Sequence, residues 1–261
     1  MNLKKESVFL LFALFYCLSF EVTAQKQRIH SHNDYLRKEP FYEAFKAGCA
    51  SIEADIFLKE GNLYVAHEEK SIQSNLTFAT LYLEPLSKIY RQKRFKNSNI
   101  QLLIDLKTAA EPTLKALVSE IEKYPELFEN KRSRMKISFV ISGNRPKPSE
   151  YKVFPAYIKF DCQELESLDQ LDKDRVVLVS FSFQKFSKWY GSGNLSEEDR
   201  SKISAVVNKV HSIHKRIRFW GTPDTEKAWQ IFSELGIDYI NTDKPSACGA
   251  YFKVEPIKLE N

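Results

Sequence analysis

Residues 51–67 read SIEADIFLKEGNLYVAH. The apolar residues predict a strand, a turn and a second strand. Glu60-Gly61 is the turn centre, because glycine tolerates a positive φ. Glu53 and Asp55 are two residues apart, so they share one face of the first strand. A reversal at Gly61 brings His67 opposite Ala54, between the two carboxylates. Burying an unpaired charge is costly. Two carboxylates and an imidazole gathered in one strand pair therefore read as a site rather than as core.

The same alternation extends along the chain. Short β-rich runs are predicted over Arg28–His32, Ser51–Leu58, Ile100–Lys107, Lys136–Ser142, Tyr157–Cys162, Val176–Ser182, Ile217–Gly221 and Ile237–Thr242. Helix-like stretches at three- and four-residue apolar spacing fall between them, over Phe41–Ala47, Thr77–Arg94, Glu111–Phe128, Glu197–Lys215 and Thr225–Leu235. Gly48 and Gly236 follow helices, and Thr225 is a helix N-cap candidate. Strands alternating with helices imply parallel pairing and right-handed crossovers. The expected fold class is α/β, a (β/α)8 TIM barrel. The alternative is an open doubly wound sheet, which is disfavoured because no Gly-x-Gly-x-x-Gly or P-loop opens a helix.

Composition narrows the partners. The chain has 261 residues and a formal net charge of +5, with basic residues spread rather than clustered. That pattern does not point to nucleic acid. Lys4 and Lys5 precede the apolar run Val8–Phe20, and Val22-Thr23-Ala24 offers small residues for cleavage. This is the layout of a signal peptide over residues 1–24, and the run is short of the roughly 20 residues of a membrane span. The expectation is one exported domain, residues 25–261, periplasmic or extracellular. Its cysteines are Cys49, Cys162 and Cys248. An odd number argues against a disulfide framework while leaving room for one bridge.

Strand parity finds further same-face polar pairs: His30/His32, Asp105/Lys107, Lys159/Asp161 and Asn241/Asp243. Most lie late in their runs, and the carboxyl ends of barrel strands form the catalytic face. For the last two pairs, outward-facing positions or salt bridges read equally well. Three carboxylates without cysteine favour one hard divalent cation, Mg2+ or Ca2+. Two histidines suit a two-step proton transfer, and Lys107 can stabilise an anion. Together these fit phosphodiester cleavage, in which charge builds on phosphate oxygens. No nucleophile-elbow serine occurs, and zinc lacks a third nitrogen ligand. His211 and His214, on a polar helix, read as surface residues.

The segments HSHNDY, PFYEAFKAG, SIEADIFLKEGNLYVAH, LLIDLK, ISGNRP and RFWGTPDTEKAW…LGIDYINTDKP resemble, in order, the PLC-like phosphodiesterase superfamily. That group includes glycerophosphodiester phosphodiesterases, phosphatidylinositol-specific phospholipases C and sphingomyelinase D-like enzymes. The chain is most similar to the subgroup containing the altered inheritance of mitochondria proteins. The resemblance implies a metal-assisted acid/base phosphodiesterase on a (β/α)8 barrel. It implies His32 and His67 as catalytic histidines, with His30 the rival for the first. It implies Glu53, Asp55 and Asp105 as metal ligands, and Lys107, Trp220 and Asn33 beside the substrate. Asn33 stands where glycerophosphodiesterases carry arginine after the histidine, and Asp105 where they carry glutamate. Asp-Leu-Lys is closer to the sphingomyelinase D-like pattern. The implied substrate is a small phosphodiester or a phospholipid, compatible with peripheral membrane contact. A catalytically silent barrel binding anionic headgroups or sugars is the alternative.

Overall fold

The computed structural model describes residues 28–92, 99–128 and 135–259. The expected signal peptide, residues 1–24, lies outside them. The β-rich runs form β1 (Arg28–Ser31), β2 (Ser51–Lys59), β3 (Asn62–Val65), β4 (Asn99–Leu106), β5 (Lys136–Gly143), β6 (Ile158–Cys162), β7 (Val176–Ser182), β8 (Arg216–Trp220) and β9 (Tyr239–Thr242). All pair in parallel except β3, which runs antiparallel to β2. The order β1-β9-β8-β7-β6-β5-β4-β2 is closed by pairing of β1 with β2, giving the eight-stranded barrel rather than the open sheet.

The β2–β3 hairpin has the anticipated register. Ile56 pairs with Val65 and Lys59 with Asn62, and both Glu60 and Gly61 adopt positive φ. Helices α1 (Tyr42–Lys46), α2 (Glu84–Arg91), α3 (Ala110–Ile121), α4 (Glu197–Ser212), α5 (Glu226–Glu234) and α6 (Pro245–Tyr251) cover the strands. Thr225 caps α5, its hydroxyl accepting from the Ala228 amide. The stretch predicted as one helix over Thr77–Arg94 begins instead with a π-type turn, Ala79–Leu83. The helix α6 has no counterpart in the sequence reading, because its seven residues include Pro245 and Gly249 and show no apolar period.

The main core lies between barrel and helices, with Ile52, Ile104, Ile141, Val179 and Phe219 among its buried members. The residues between them point into the barrel. A separate cluster of Leu103, Val140, Leu178 and Tyr239 fills its lower lumen. Above it the lumen is polar. Cross-strand register aligns Asp55 with Asp105, Asp105 with Ser142, Ser180 with Arg218, and His30 with Asn241. Lys159 leaves this lumen, reaching the Asp174 carbonyl at 2.9 Å. Asp161 remains, buried and accepting from Ser142 Oγ at 3.1 Å. Cys49, Cys162 and Cys248 are all buried free thiols, so the bridge left open by their number does not form.

At the end of β5 the sheet makes room for one of these acids. Gly143 has φ +66°, and a Cβ there would collide with Asp105 Oδ1 and lie 2.7 Å from the Leu106 carbonyl. Alanine would add the left-handed strain of about 1–2 kcal/mol to that collision. Gly143→Ala is therefore expected to lower the melting temperature by roughly 2–8 °C, read by calorimetry.

Candidate active site

The stretch after β1 is braced at both ends. His30, fully buried, places Nδ1 2.8 Å from Ser51 Oγ and Nε2 2.9 Å from Glu53 Oε2. Gln101 Nε2 donates to the same serine oxygen at 2.8 Å. Both ring nitrogens of His30 are thereby engaged, Nδ1 by Ser51 and Nε2 by Glu53. Burial and then the charge of Arg218 pull His30 down to about 4, so it is neutral at physiological pH. His30 thus supports Glu53 and is shut off from solvent. Four residues on, buried Asp34 accepts from Ser31 Oγ (3.0 Å), the Phe41 amide (2.6 Å) and Tyr82 Oη (3.2 Å).

His32 lies between these supports, half-buried, with Nδ1 2.9 Å from Asp243 Oδ1. Burial pulls the imidazolium down, but the Asp243 hydrogen bond and the charge of Glu53 outweigh it, and the net shift is upward. The His32 hydrogen bond in turn lowers Asp243. Asp224, in the loop after β8, accepts from the Asp243 amide (3.0 Å), Thr242 Oγ1 (2.7 Å) and Trp229 Nε1 (2.8 Å). It therefore fixes the turn that carries Asp243.

Glu53, Asp55 and Asp105 come together, each offering an oxygen within 4.8 Å of the others. Lys107 Nζ is 3.0 Å from Asp55 Oδ2 and 3.3 Å from Asp105 Oδ1. Tyr35 Oη is 2.8 Å from Asp55 Oδ2 and from Asn33 Oδ1, so Asn33, held at φ 47°, belongs to the rim of the cluster. Asp55 Oδ1 is buried and has no partner. A buried orphan carboxylate oxygen within an all-oxygen donor set fits a hard divalent cation. Burial, and then repulsion by Glu53, raises Asp55 from 3.8 to about 6. Burial also raises Asp105. Desolvation acts downward on Lys107, but Asp55 and Asp105 carry it upward.

Two anticipated residues stand further out. His67 follows β3 by two positions and is exposed, with no hydrogen bond to the cluster among the described residues. The last hairpin contact is Ala66 N to the Asp55 carbonyl at 3.3 Å, after which the chain leaves the sheet. Trp220, ending β8, is 41% exposed at the mouth. Sequence reasoning missed Arg218 and Asp224. Arg218 Nη1 donates to Glu53 Oε2 at 3.1 Å and also touches His30 Nε2. The alternation in RIRFW carries the signal, since Arg216, Arg218 and Trp220 share a face opposite Ile217 and Phe219. His211 also differs from a bare surface residue, with Nε2 2.8 Å from Asp238 Oδ2.

Comparison with known proteins agrees with this architecture. An AIM6-like phosphodiesterase domain model matches residues 18–99, and a glycerophosphoryl diester phosphodiesterase family model matches residues 216–246. The altered inheritance of mitochondria protein 6 of Eremothecium gossypii is 25% identical, over 86% of this chain and 69% of its own length. Its homolog in Arthroderma benhamiae is 24% identical, over 86% and 83%. A glycerophosphodiester phosphodiesterase from Parabacteroides distasonis shares the fold at TM-score 0.58 and 16% identity, covering 88% of this chain and 98% of that one. A Ca2+-dependent phosphatidylinositol-specific phospholipase C from Streptomyces antibioticus does so at TM-score 0.55 and 12% identity, covering 85% and 96%. By these matches the chain is similar to the AIM6-like proteins and, in fold, to enzymes of the PLC-like phosphodiesterase superfamily.

Two outcomes follow from the electrostatics. The hydrogen bond to the Asp243 carboxylate is the main upward influence on His32, so Asp243→Asn, which weakens it and removes the charge, is expected to lower the His32 pKa in an NMR titration of its ring protons. The raised Asp55 binds a proton more readily in the folded than in the unfolded state. Cation-free protein should therefore lose stability as pH rises from about 4 to about 6. Mg2+ or Ca2+ is expected to raise the melting temperature more at pH 7.5 than at pH 5, and Asp55→Asn to reduce the gain, with both measured by thermal shift.

Proposed function

We propose that the protein is a divalent-cation-dependent phosphoric diester hydrolase acting on a phospholipid or glycerophosphodiester-type substrate. The observation that carries this reading is the joint placement of three carboxylates, Lys107 and the Asp243-oriented His32 at one end of the barrel. Glu53, Asp55 and Asp105 would hold Mg2+ or Ca2+, which when bound draws charge from the phosphoryl oxygens. Lys107 adds a positive charge where the phosphate would sit.

His32 exchanges a proton with the reacting oxygen, and Asp243 stabilises its imidazolium form in either direction. The attacking hydroxyl, from water or from the substrate itself, gives up its proton as its oxygen bonds to phosphorus. The leaving alcohol takes a proton as its P–O bond breaks. His67 is the second proton carrier in this reading, and Asn33 and Trp220 face the substrate. Similarity to the AIM6-like and glycerophosphoryl diester phosphodiesterase models supports the reaction class, and the Asn33 and Asp105 departures turn the substrate away from the simplest glycerophosphodiester pattern. The apolar run before Gln25 supports export. Among the described residues no helix is long and apolar enough to cross a membrane.

A binding-only barrel is the second reading, favoured by His67 being exposed without a hydrogen bond to the carboxylates among the described residues. Hydrolysis of bis(p-nitrophenyl) phosphate separates the two. Turnover is expected to vanish with EDTA and to fall by about 100-fold or more in His32→Ala and His67→Ala. Turnover indifferent to chelation and to both substitutions would overturn the proposed mechanism. Cation binding without turnover on a panel of diesters and lysophospholipids would favour the binding module.

A further inference from the structure

Arg218 is the cation most deeply placed in the polar lumen, with its side chain 4% exposed. Burying a guanidinium costs several kcal/mol unless good partners offset it. The apolar layer of Leu103, Val140, Leu178 and Tyr239 shows that this lumen can be filled without charge. Arg218 therefore calls for an explanation beyond packing, and its contacts supply one. Its Nη1 reaches Glu53 Oε2, and His30 Nε2 meets the same oxygen. Both supports fall on one oxygen of one carboxylate. Oε1 is left without a side-chain partner among the described residues, on the residue that shares the 4.8 Å cluster with Asp55 and Asp105.

We propose that Arg218 is the positioning residue of the candidate cation site. It holds Glu53 by Oε2 from within the lumen, so that the carboxylate presents its other oxygen as a single, orientated ligand. Without Arg218, Glu53 would face two other carboxylates with only the His30 imidazole to hold its rotamer. Arg218 also sets the charge of the site. Its positive charge, with that of Lys107, offsets part of the negative charge gathered by Glu53, Asp55 and Asp105.

This inference rests on the proposed cation dependence, and the test separates the two. Isothermal titration with Mg2+, Ca2+ and Mn2+ would compare wild type with Arg218→Met, Arg218→Gln and Arg218→Lys, alongside melting curves without cation. Loss of the support to a ligand is expected to weaken cation binding about 10- to 100-fold in the Met and Gln variants. Lysine should recover most of it, because a single nitrogen makes both contacts. If Arg218→Met does not fold, Arg218→Gln, which keeps an N–H donor without the charge, carries the same expectation. Unchanged cation affinity in a folded Met or Gln variant, whatever its melting temperature, overturns the inference alone. A wild-type protein that binds none of the three cations overturns both this inference and the reading beneath it.

Discussion

A closed parallel barrel has no water-filled margin in its lower lumen, so every charge turned inward there must meet an opposite charge or a hydrogen bond. Glu53 is where that constraint is strictest. It is buried on the middle of β2, and Arg218 from β8 and His30 from β1 converge on it. Desolvation acts to raise its pKa, but the Arg218 charge and the His30 hydrogen bond outweigh it, and Glu53 stays well below the usual carboxylate range. The acids nearer the mouth sit differently. Asp55 and Asp105 share Lys107, and Asp55 keeps one oxygen unpartnered. The lumen thus grades from Glu53, held by a buried guanidinium and a buried imidazole, to Asp55 and Asp105, which share one half-buried lysine, and chemistry belongs at that second end.

Much of this was legible before any coordinates. The hairpin register followed from Glu60-Gly61 alone, since a two-residue turn leaves little freedom in pairing. The parallel strands were visible because buried runs such as QLLIDL and VVLVSFS have only one economical use in an alternating chain. Other features depended on longer-range facts. That Asp243 meets His32 could not be decided from strand parity, because Asp243 follows β9 and His32, 211 positions away, follows β1. Arg218 looked like one basic residue among several in KRIRFW until β8 was set against β7 and β9. His67 shows where the local rule ends. Register carried it correctly to the edge of the sheet, but register stops informing once the ladder ends at Ala66.

The π-type turn before α2 and the short α6 share a cause. The first interrupts a stretch read as helical and the second lacks helical apolar spacing, so both depend on what they pack against. Tyr82, in the π-type turn, reaches Asp34, so that element is tied to the stretch after β1. Local propensity is a weak prior where a single buried hydrogen bond decides the geometry.

The segment HSHNDY alternates in duty as well as in direction. His30, Ser31 and Asp34 are locked into the interior, while His32 and Asn33 face the mouth. Such a segment is poor material for gradual change, because a residue that faces substrate cannot be moved without disturbing neighbours that hold up β2 and the turn before α2. Diversification of substrate among proteins of this design would then proceed on the opposite wall. There the loops after β6 and β7 carry Leu165 and Tyr190 exposed to solvent, and Trp220 is exposed at the end of β8. The β1 wall would persist as a fixed frame, and the far wall would be the variable one.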